Sequence, residues 1–451
     1  MLNRRHLLAS GLAGLPLLAG MQMAAAKTRS GSTQDTASTS LRPGVSADQS
    51  AALQVLIDQA SERNEPVVLL AGSYIAANIT LPRRLRLIGV PGATRIIYGG
   101  GGHLLFGSDL EHVELSGLTF DGAGLWLGEE VKALLNFRRP GTLLIDRCAI
   151  VNSAKTGLAL EGAAGRVERS TISNAAEYAL YSVQARRLTI TGNTVSDCGD
   201  GGILVHRWEP GEDGTIVSDN RVSRIGAKSG GTGQFGNGIN LFRAHTVSVT
   251  NNKLADCAFS AIRANSASNA TITGNSCLRS GETGLYVEFE FEGAVIGNNI
   301  VDGAANGISV VNFNLGGRMA TVTGNIVRNM STTGPYPGDP PGFGIGIAVE
   351  ADTAVTGNVI ENAPLFGINI GWGEFMRNVT ATGNTIRDTG IGISVSVVDG
   401  NGSAVISNNV LSEVPNGGII GHRWTERATE DLAAASDQPF ANLTIANNQV
   451  N

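Results

Sequence analysis

Residues 189–205 read TITGNTVSDCGDGGILV, a Thr-Gly-Asn tripeptide set between two runs of alternating apolar residues. The phrase returns as TITGNSCLRSGETGLYV (271–287), TVTGNIVRNM (321–330), TAVTGNVIENAPLFGINI (353–370) and TATGNTIRDTGIGISV (380–395). Aligned on the asparagine, the units place Asn193, Asn220, Asn252, Asn275, Asn299, Asn325, Asn358, Asn384, Asn409 and Asn448 at intervals of 23 to 39 residues. Ser170 and Cys148 fall in the same slot of two earlier units. A fixed minimum interval with occasional excess is a repeat unit carrying loop insertions.

Each unit holds three short period-2 stretches and no room for a helix. Such a triplet buries its apolar face by winding, so that each strand lies parallel to its equivalent one unit away, about 4.8 Å off. The expected fold is all-β, a parallel β-helix over residues 43–451, right-handed because parallel crossovers take that hand. The asparagine marks a sharp bend, where one residue needs the left-handed conformation that Asn tolerates. Stacked units also place each amide above the next, and a buried amide left unpaired costs about 1–3 kcal/mol. A ladder of asparagines is therefore expected. Residues 47–62 carry the helical stripe Ala52, Leu53, Leu56, Ile57 and Ala60, with Asp48 placed to cap it. This helix is expected to cover the N-terminal end of the core, with residues 66–82 as the first coil. TERATEDLAAASDQ (425–438) is rich in helix formers and is expected to cover the other end as a second helix.

Composition narrows the class. Glycine supplies 60 of 451 residues and charged residues 16%, yet 42% of the chain is apolar and regularly alternating, which argues against disorder. A net charge of −6 without a basic tract excludes nucleic-acid binding. The start, MLNRRHLLASGLAGLPLLAGMQMAAAK, places Arg4 and Arg5 before an apolar run too short to span a bilayer. An ordinary secretory signal would fit, but the arginine pair directly before the run points to a twin-arginine signal over residues 1–26. That implies the twin-arginine export machinery as a partner and a periplasmic or secreted, bacterial, monomeric protein with no membrane contact after signal removal. Residues 27–42 read as a polar linker. Cys198 and Cys257 stand two coils apart, beyond the reach of a disulfide, so the four cysteines are expected to be buried thiols.

The DQSAALQVLIDQA helix, the LLAGSYIAANITLP stretch and the TGN…GIxV coils resemble the pectate-lyase-like right-handed β-helix superfamily. With the Arg4-Arg5 signal, the whole is similar to the family of twin-arginine-translocated uncharacterised repeat proteins. The resemblance spans nearly the whole chain. It implies a pectin-lyase-like solenoid acting on polysaccharide as a lyase, hydrolase or epimerase. The superfamily's catalytic strings are missing, however. There is no Asp-Asp pair, Trp-x-Asp-His or Asp-Pro-His-Asp, and the nearest string to Gly-His-Gly is Gly421-His422-Arg423.

Loop insertions flank the Gly-Ile-x-Val strand on both sides: 226–236 and 331–342 before it, 206–214, 312–319, 371–378 and 421–431 after it. Loops of that length wall a groove over the strand's outward face. Alternation puts Leu204 and His206, Asn240 and Phe242, Arg263 and Asn265, Tyr286 and Glu288, Ser309 and Val311, and Ala348 and Glu350 on that face. The YVEFEFE stretch extends one row to Glu290, with Phe289 and Phe291 turned inward. Tyr286, Glu288 and His206 are the candidate acid–base groups. Asn240, Arg263, Asn265, Trp208 and Glu290 are the candidate substrate-binding groups, with Arg263 suited to a uronate carboxylate. The plainer alternative makes Arg263 and Glu288 a solvent-facing ion pair worth about 0–1 kcal/mol. The strings GGILVHRW and GGIIGHRW repeat, either as a shared turn or because Trp208 and Trp424 both stack on sugar. GTGQFG (231–236) lacks the strand–helix frame of a dinucleotide site. EPGEDG (209–214) reads as an acidic loop rather than a calcium site. No metal site is expected, and no pattern specifies a cofactor. A non-catalytic carbohydrate-binding or structural envelope protein is the alternative to an enzyme.

Overall fold

The computed structural model describes residues 41–231, 233–312, 318–435, 437 and 440–451. The expected signal peptide and nearly all of the linker lie outside the described residues. From Arg42 onward the chain winds as a parallel β-helix. Sheet 1 is a stack of fifteen parallel strands, from Val67–Val68 through Leu188–Thr191 and Ala270–Thr273 to Leu443–Ala446. Sheet 2 stacks the strands that follow the ladder asparagine, such as Thr194–Cys198 on Arg221–Ile225. Sheet 3 stacks the Gly-Ile-x-Val strands, such as Gly201–Glu212 on Asn237–His245. Sheets 2 and 3 run together where Val359–Ile370 and Thr385–Ser396 bend across the corner between them.

Inward positions alternate as expected. In one coil Ile190, Val195, Ile203 and Val205 are buried, and Ile272, Cys277, Leu285 and Val287 occupy the same slots three coils on. The four cysteines are free and buried, and burial pushes the Cys148 and Cys257 thiols up to about 12.

The asparagine ladder is continuous. Asn220 Oδ1 accepts from the backbone N–H of Asn193 at 2.9 Å and from its Nδ2 at 3.0 Å. Asn193 Nδ2 also donates to the Val167 carbonyl, so every polar atom of the amide is satisfied. The pattern repeats to Asn448, and Ser170 and Cys148 continue it backwards. The left-handed residue is the one before each asparagine, not the asparagine itself. Gly192, Asp219, Asn251 and Gly274 all have φ between 57° and 69° where the expectation gave that conformation to the ladder residue. Glycine recurs in Thr-Gly-Asn because this slot carries the strain, while asparagine recurs because the next slot needs an amide.

Helix α1 spans Ser50–Arg63 and buries Leu53, Ile57 and Ala60 against the first strands. Gln49 takes the N-cap position. Asp48 acts one residue earlier, accepting from the Ser50 N–H at 3.0 Å while bridging to Ile75. Asn64, left-handed at φ 54°, ends the helix.

The second expected helix is not formed. Glu426–Asp431 is a strand that pairs antiparallel with Ile419–Arg423. Only Leu432 of that segment is buried among its large apolar residues, so a helix there would have no stripe to bury. The hairpin instead gives edge groups partners: Asp431 accepts from the Gly418 and Ile419 N–H groups, and Thr429 from Gly421. Residues 436 and 438 of the expected helix lie outside the described residues.

Asn275→Ala removes a ladder amide bonded on both sides and is expected to cost a few kcal/mol, whereas Asn448→Ala at the ladder's end should cost less. Thermal unfolding of the two variants compares them directly; equal losses of Tm would contradict a cooperative ladder.

Candidate functional site

The outward face of sheet 3 has the two columns that alternation gives. Leu204, Asn240, Arg263, Tyr286 and Ser309 are successive register partners in one column. His206, Phe242, Asn265, Glu288 and Val311 make the other.

The expectation of a solvent-facing patch is corrected. Asn240 is 7% exposed, Arg263 5% and Glu288 1%. Long connections lie over them. The 226–236 loop is tied down by Asp200, whose carboxylate accepts from Ser229 N–H at 2.7 Å and Ser229 Oγ at 2.6 Å. It crosses Arg263 at Gly233, whose φ of 121° is a conformation that favours glycine. The connection preceding strand Ile345–Val349 brings Tyr336 over the face. Tyr336 stacks on Phe259, meets Phe343 edge-on and donates its hydroxyl to Glu282.

Beneath these loops Arg263 Nε donates to Glu288 Oε1 at 2.5 Å, and Asn265 Nδ2 donates to the same oxygen at 2.9 Å. The guanidinium lies 5.2 Å from the Tyr286 ring centroid. Burial alone would weaken its charge, but the Glu288 and Glu282 carboxylates outweigh that and hold it protonated. The pair is thus a buried one, not a surface pair. Arg263 Nη1 has no hydrogen-bond partner among the described residues.

His206 does not join this cluster. It stands three strands from Glu288 in their shared column, about 14 Å away. Its ring sits edge-on to Tyr181 at 5.3 Å and is 5.6 Å from Phe242, with Nε2 buried and unpartnered. Burial lowers its pKa to about 4. Glu290 does not extend the row: the strand ends at Glu288, Phe289 turns left-handed at φ 65°, and Glu290 follows, exposed. Phe291 does point into the core, but Phe289 is only half-buried. Trp208 is exposed on a bulge between His206 and Gly211, its carbonyl accepting from Arg243 at 2.7 Å.

The sequence reading missed Glu282 and Tyr336. Glu282 had a signal, because Asp200 in GDGGILV and Glu282 in GETGLYV stand at one place of the repeat. It also missed a pattern in the tryptophans. The chain's four lie on connections that enter or leave sheet 3: Trp126 before Ala133–Arg138, Trp208 in the bulge, Trp372 after Ile370 and Trp424 after Arg423. Three are well exposed, at 64% for Trp126, 55% for Trp208 and 45% for Trp424. Lys155 Nζ holds the Trp126 loop from below through the carbonyls of Gly128, Glu129 and Val131. Among the described residues no group of three or more metal-ligating side chains comes together, and no helix is long and apolar enough to cross a membrane.

Two outcomes follow from this burial. Arg263→Ala strands the Glu288 carboxylate and should cost about 3–5 kcal/mol in chemical denaturation, while Arg263→Met combined with Glu288→Leu should cost much less. His206 stays neutral in the fold down to about pH 4 but takes a proton near 6.5 when unfolded. The unfolded chain then binds more protons between those values, so stability falls as pH drops through them. The Tm advantage of the wild type over His206→Gln should therefore shrink between pH 7 and pH 5.

No curated protein matches the sequence. Among solved structures the chain is similar to pre-mature gene product 12 of bacteriophage phi29, with 15% identity and a TM-score of 0.61 over 87% of this chain and 57% of that one. It therefore spans little more than half the length of that protein. The N-terminal fragment of the same gene product matches with 13% identity and a TM-score of 0.54, over 86% of this chain and 72% of that one. The A-module of a mannuronan C-5 epimerase from Azotobacter vinelandii gives 15% identity and a TM-score of 0.48, over 81% of this chain and 95% of that one. At these identities the likeness carries the fold alone. The family model "Right handed beta helix region" matches residues 105–235 and 213–376, together more than half of the chain. By that match and by its parallel coils, the chain belongs to the right-handed β-helix family.

Proposed function

We propose that this is an exported polysaccharide-binding protein whose ligand lies along the outward face of sheet 3. The placement of the tryptophans carries the reading. Aromatic residues are only 5% of the chain, yet all four indoles border this one face. From the strand beside Trp126 to the strand beside Trp424 there are eleven strand spacings, or about 50 Å. Exposed indoles spaced along a groove fit a ligand that is long, repetitive and ring-shaped. Each offers a flat apolar face for the C–H face of a sugar ring and an N–H for its hydroxyls.

Charge narrows the ligand. Arg263 is already shared between Glu288 and Glu282, so the covered centre has two carboxylates for one guanidinium. A uronate would meet excess negative charge there, and a neutral polysaccharide would not. Arg263, Asn265 and Glu288 serve as a buried brace under Tyr286 and Asn240. Acid–base work by Glu288 with Tyr286 would first require breaking the pair with Arg263, and His206 is too distant to assist. Binding without turnover is therefore the preferred reading. Export through the twin-arginine machinery, guided by Arg4 and Arg5, belongs to the same proposal.

Calorimetry with a panel of polysaccharides tests it. The wild type should bind a neutral glucan, mannan or N-acetylhexosamine polymer. Trp126→Ala and Trp208→Ala should each weaken that binding several-fold with little change in Tm, because both side chains face solvent. Absence of binding to every polymer, or unchanged affinity in both variants, would defeat the proposal.

A further inference from the structure

At the C-terminal end of the same face lies a cleft, of whose residues the sequence reading singled out only Trp424 for sugar stacking. Asn369, Ser394 and Ser396 form its floor, Phe366, Trp372 and Trp424 its walls, and His422 closes it from the next strand. Asn369 and Ser394 are direct register partners, as are Ser396 and His422. The Trp372 and Trp424 rings meet edge to face at 5.4 Å, with Phe375 6.4 Å from Trp424 and Phe366 5.3 Å from His422. Gly373 lets the Trp424 indole lie on the backbone, since a Cβ there would come 2.2 Å from the ring. The indole is thus propped from one side and remains 45% exposed.

The floor is polar but uncharged. Ser394 Oγ lies 3.0 Å from His422 Nδ1, and Ser396 Oγ donates to the Gly373 carbonyl at 2.6 Å. Burial lowers the His422 pKa, so its imidazole is neutral at pH 7. Among the described residues no Asp, Glu, Lys or Arg lines the cleft. A neutral imidazole carries one donor and one acceptor, and its tautomer decides which of them meets Ser394. The Ser394–His422 pair can therefore turn either a donor or an acceptor toward a hydroxyl.

The cleft holds only about 10 Å³, room for one water or one hydroxyl, and we propose that its mouth is the subsite where a single uncharged pyranose ring stacks and sets the specificity of the groove. The ring's C–H face lies against the exposed Trp424 outside the cleft, and one of its hydroxyls enters to exchange hydrogen bonds with Ser394, His422 and Asn369. A carboxylate here would lose its water without meeting a cation in the lining, since Arg427, whose charge reaches His422 from the paired strand, lies outside it. A hydroxyl loses less and finds partners. The inference rests on reading sheet 3 as a polysaccharide surface and adds where recognition is decided and for which sugars.

The test uses the purified full chain and matched di- to tetrasaccharides, neutral and uronate forms of the same backbone. Affinities come from calorimetry, and the four indole N–H signals are followed by NMR in the wild type. The expected result is a neutral oligosaccharide that shifts the Trp424 and Trp372 signals while leaving Trp126 unmoved. Trp424→Ala should weaken it at least 10-fold and Ser394→Ala about 3- to 10-fold, and the uronate form should bind at least 10-fold more weakly than the neutral one. Trp424→Phe should recover part of the loss, separating stacking from folding. Short neutral ligands that shift Trp126 or Trp208 instead, with full affinity in the Trp424 and Ser394 variants, would overturn the cleft while leaving the groove. Equal, Trp424-dependent binding of the uronate form would overturn its neutrality. If no oligosaccharide or polymer binds the wild type, the groove reading itself falls and the subsite with it.

Discussion

Every side chain in a parallel β-helix must tolerate a near-copy of its own slot about 4.8 Å above and below. Groups that complement themselves can recur without limit under that constraint. An amide is such a group, since its oxygen accepts what its nitrogen donates, and the ten asparagines in line leave no amide of the ladder unpaired. Charges cannot repeat in this way, and the chain alternates them. At the corner between sheets 2 and 3, Asp197, Arg224, Asp256 and Arg279 occupy one slot in four successive coils. Arg224 pairs with Asp197 at 2.6 Å and Arg279 with Asp256 at 2.7 Å. Each exposed pair adds little, about 0–1 kcal/mol, but the alternation removes the repulsion that a uniform column would suffer.

The same constraint separates the scaffold from its cargo. Sheets 1 and 2 are joined by short connections, and their outward faces mix threonines such as Thr189 and Thr191 with exposed aliphatics such as Val295 and Ile326. Sheet 3 departs from the repeat, because its strands are bounded by insertions that bring aromatic residues to the rim and loops across the centre. Arg263, Glu288 and Glu282 are buried as a result, and their charges are committed to one another. What remains available to a partner is the rim, including the propped indole of Trp424 and the uncharged floor beside it.

The repeat, the inward and outward parity, the columns on sheet 3 and the free cysteines were all legible from residue order, because each depends on periods of two and about 23. The exposure of Arg263 was not. Parity says that its side chain leaves the core, but not that the loop at Gly233 will cover it, since an insertion's length does not say where it folds. The strand at Glu426–Asp431 escaped for a related reason. Its composition favours a helix, and only the open edge beside Ile419–Arg423 makes a strand the better state. The left-handed slot was misplaced by one residue because Gly and Asn adjoin in Thr-Gly-Asn and both suit positive φ. The tryptophans lay in plain view as residues, but their common rim emerges only once the loops are assigned to one face.

Because all four indoles border sheet 3, tryptophan emission reports on that face and on no other. Collisional quenching by acrylamide, measured with and without a polysaccharide that co-sediments with the protein, therefore tests the account most directly. A ligand lying along the groove should shield Trp126, Trp208 and Trp424 together and lower the quenching constant several-fold. Co-sedimentation with an unchanged quenching constant would place the ligand on another face and contradict the account.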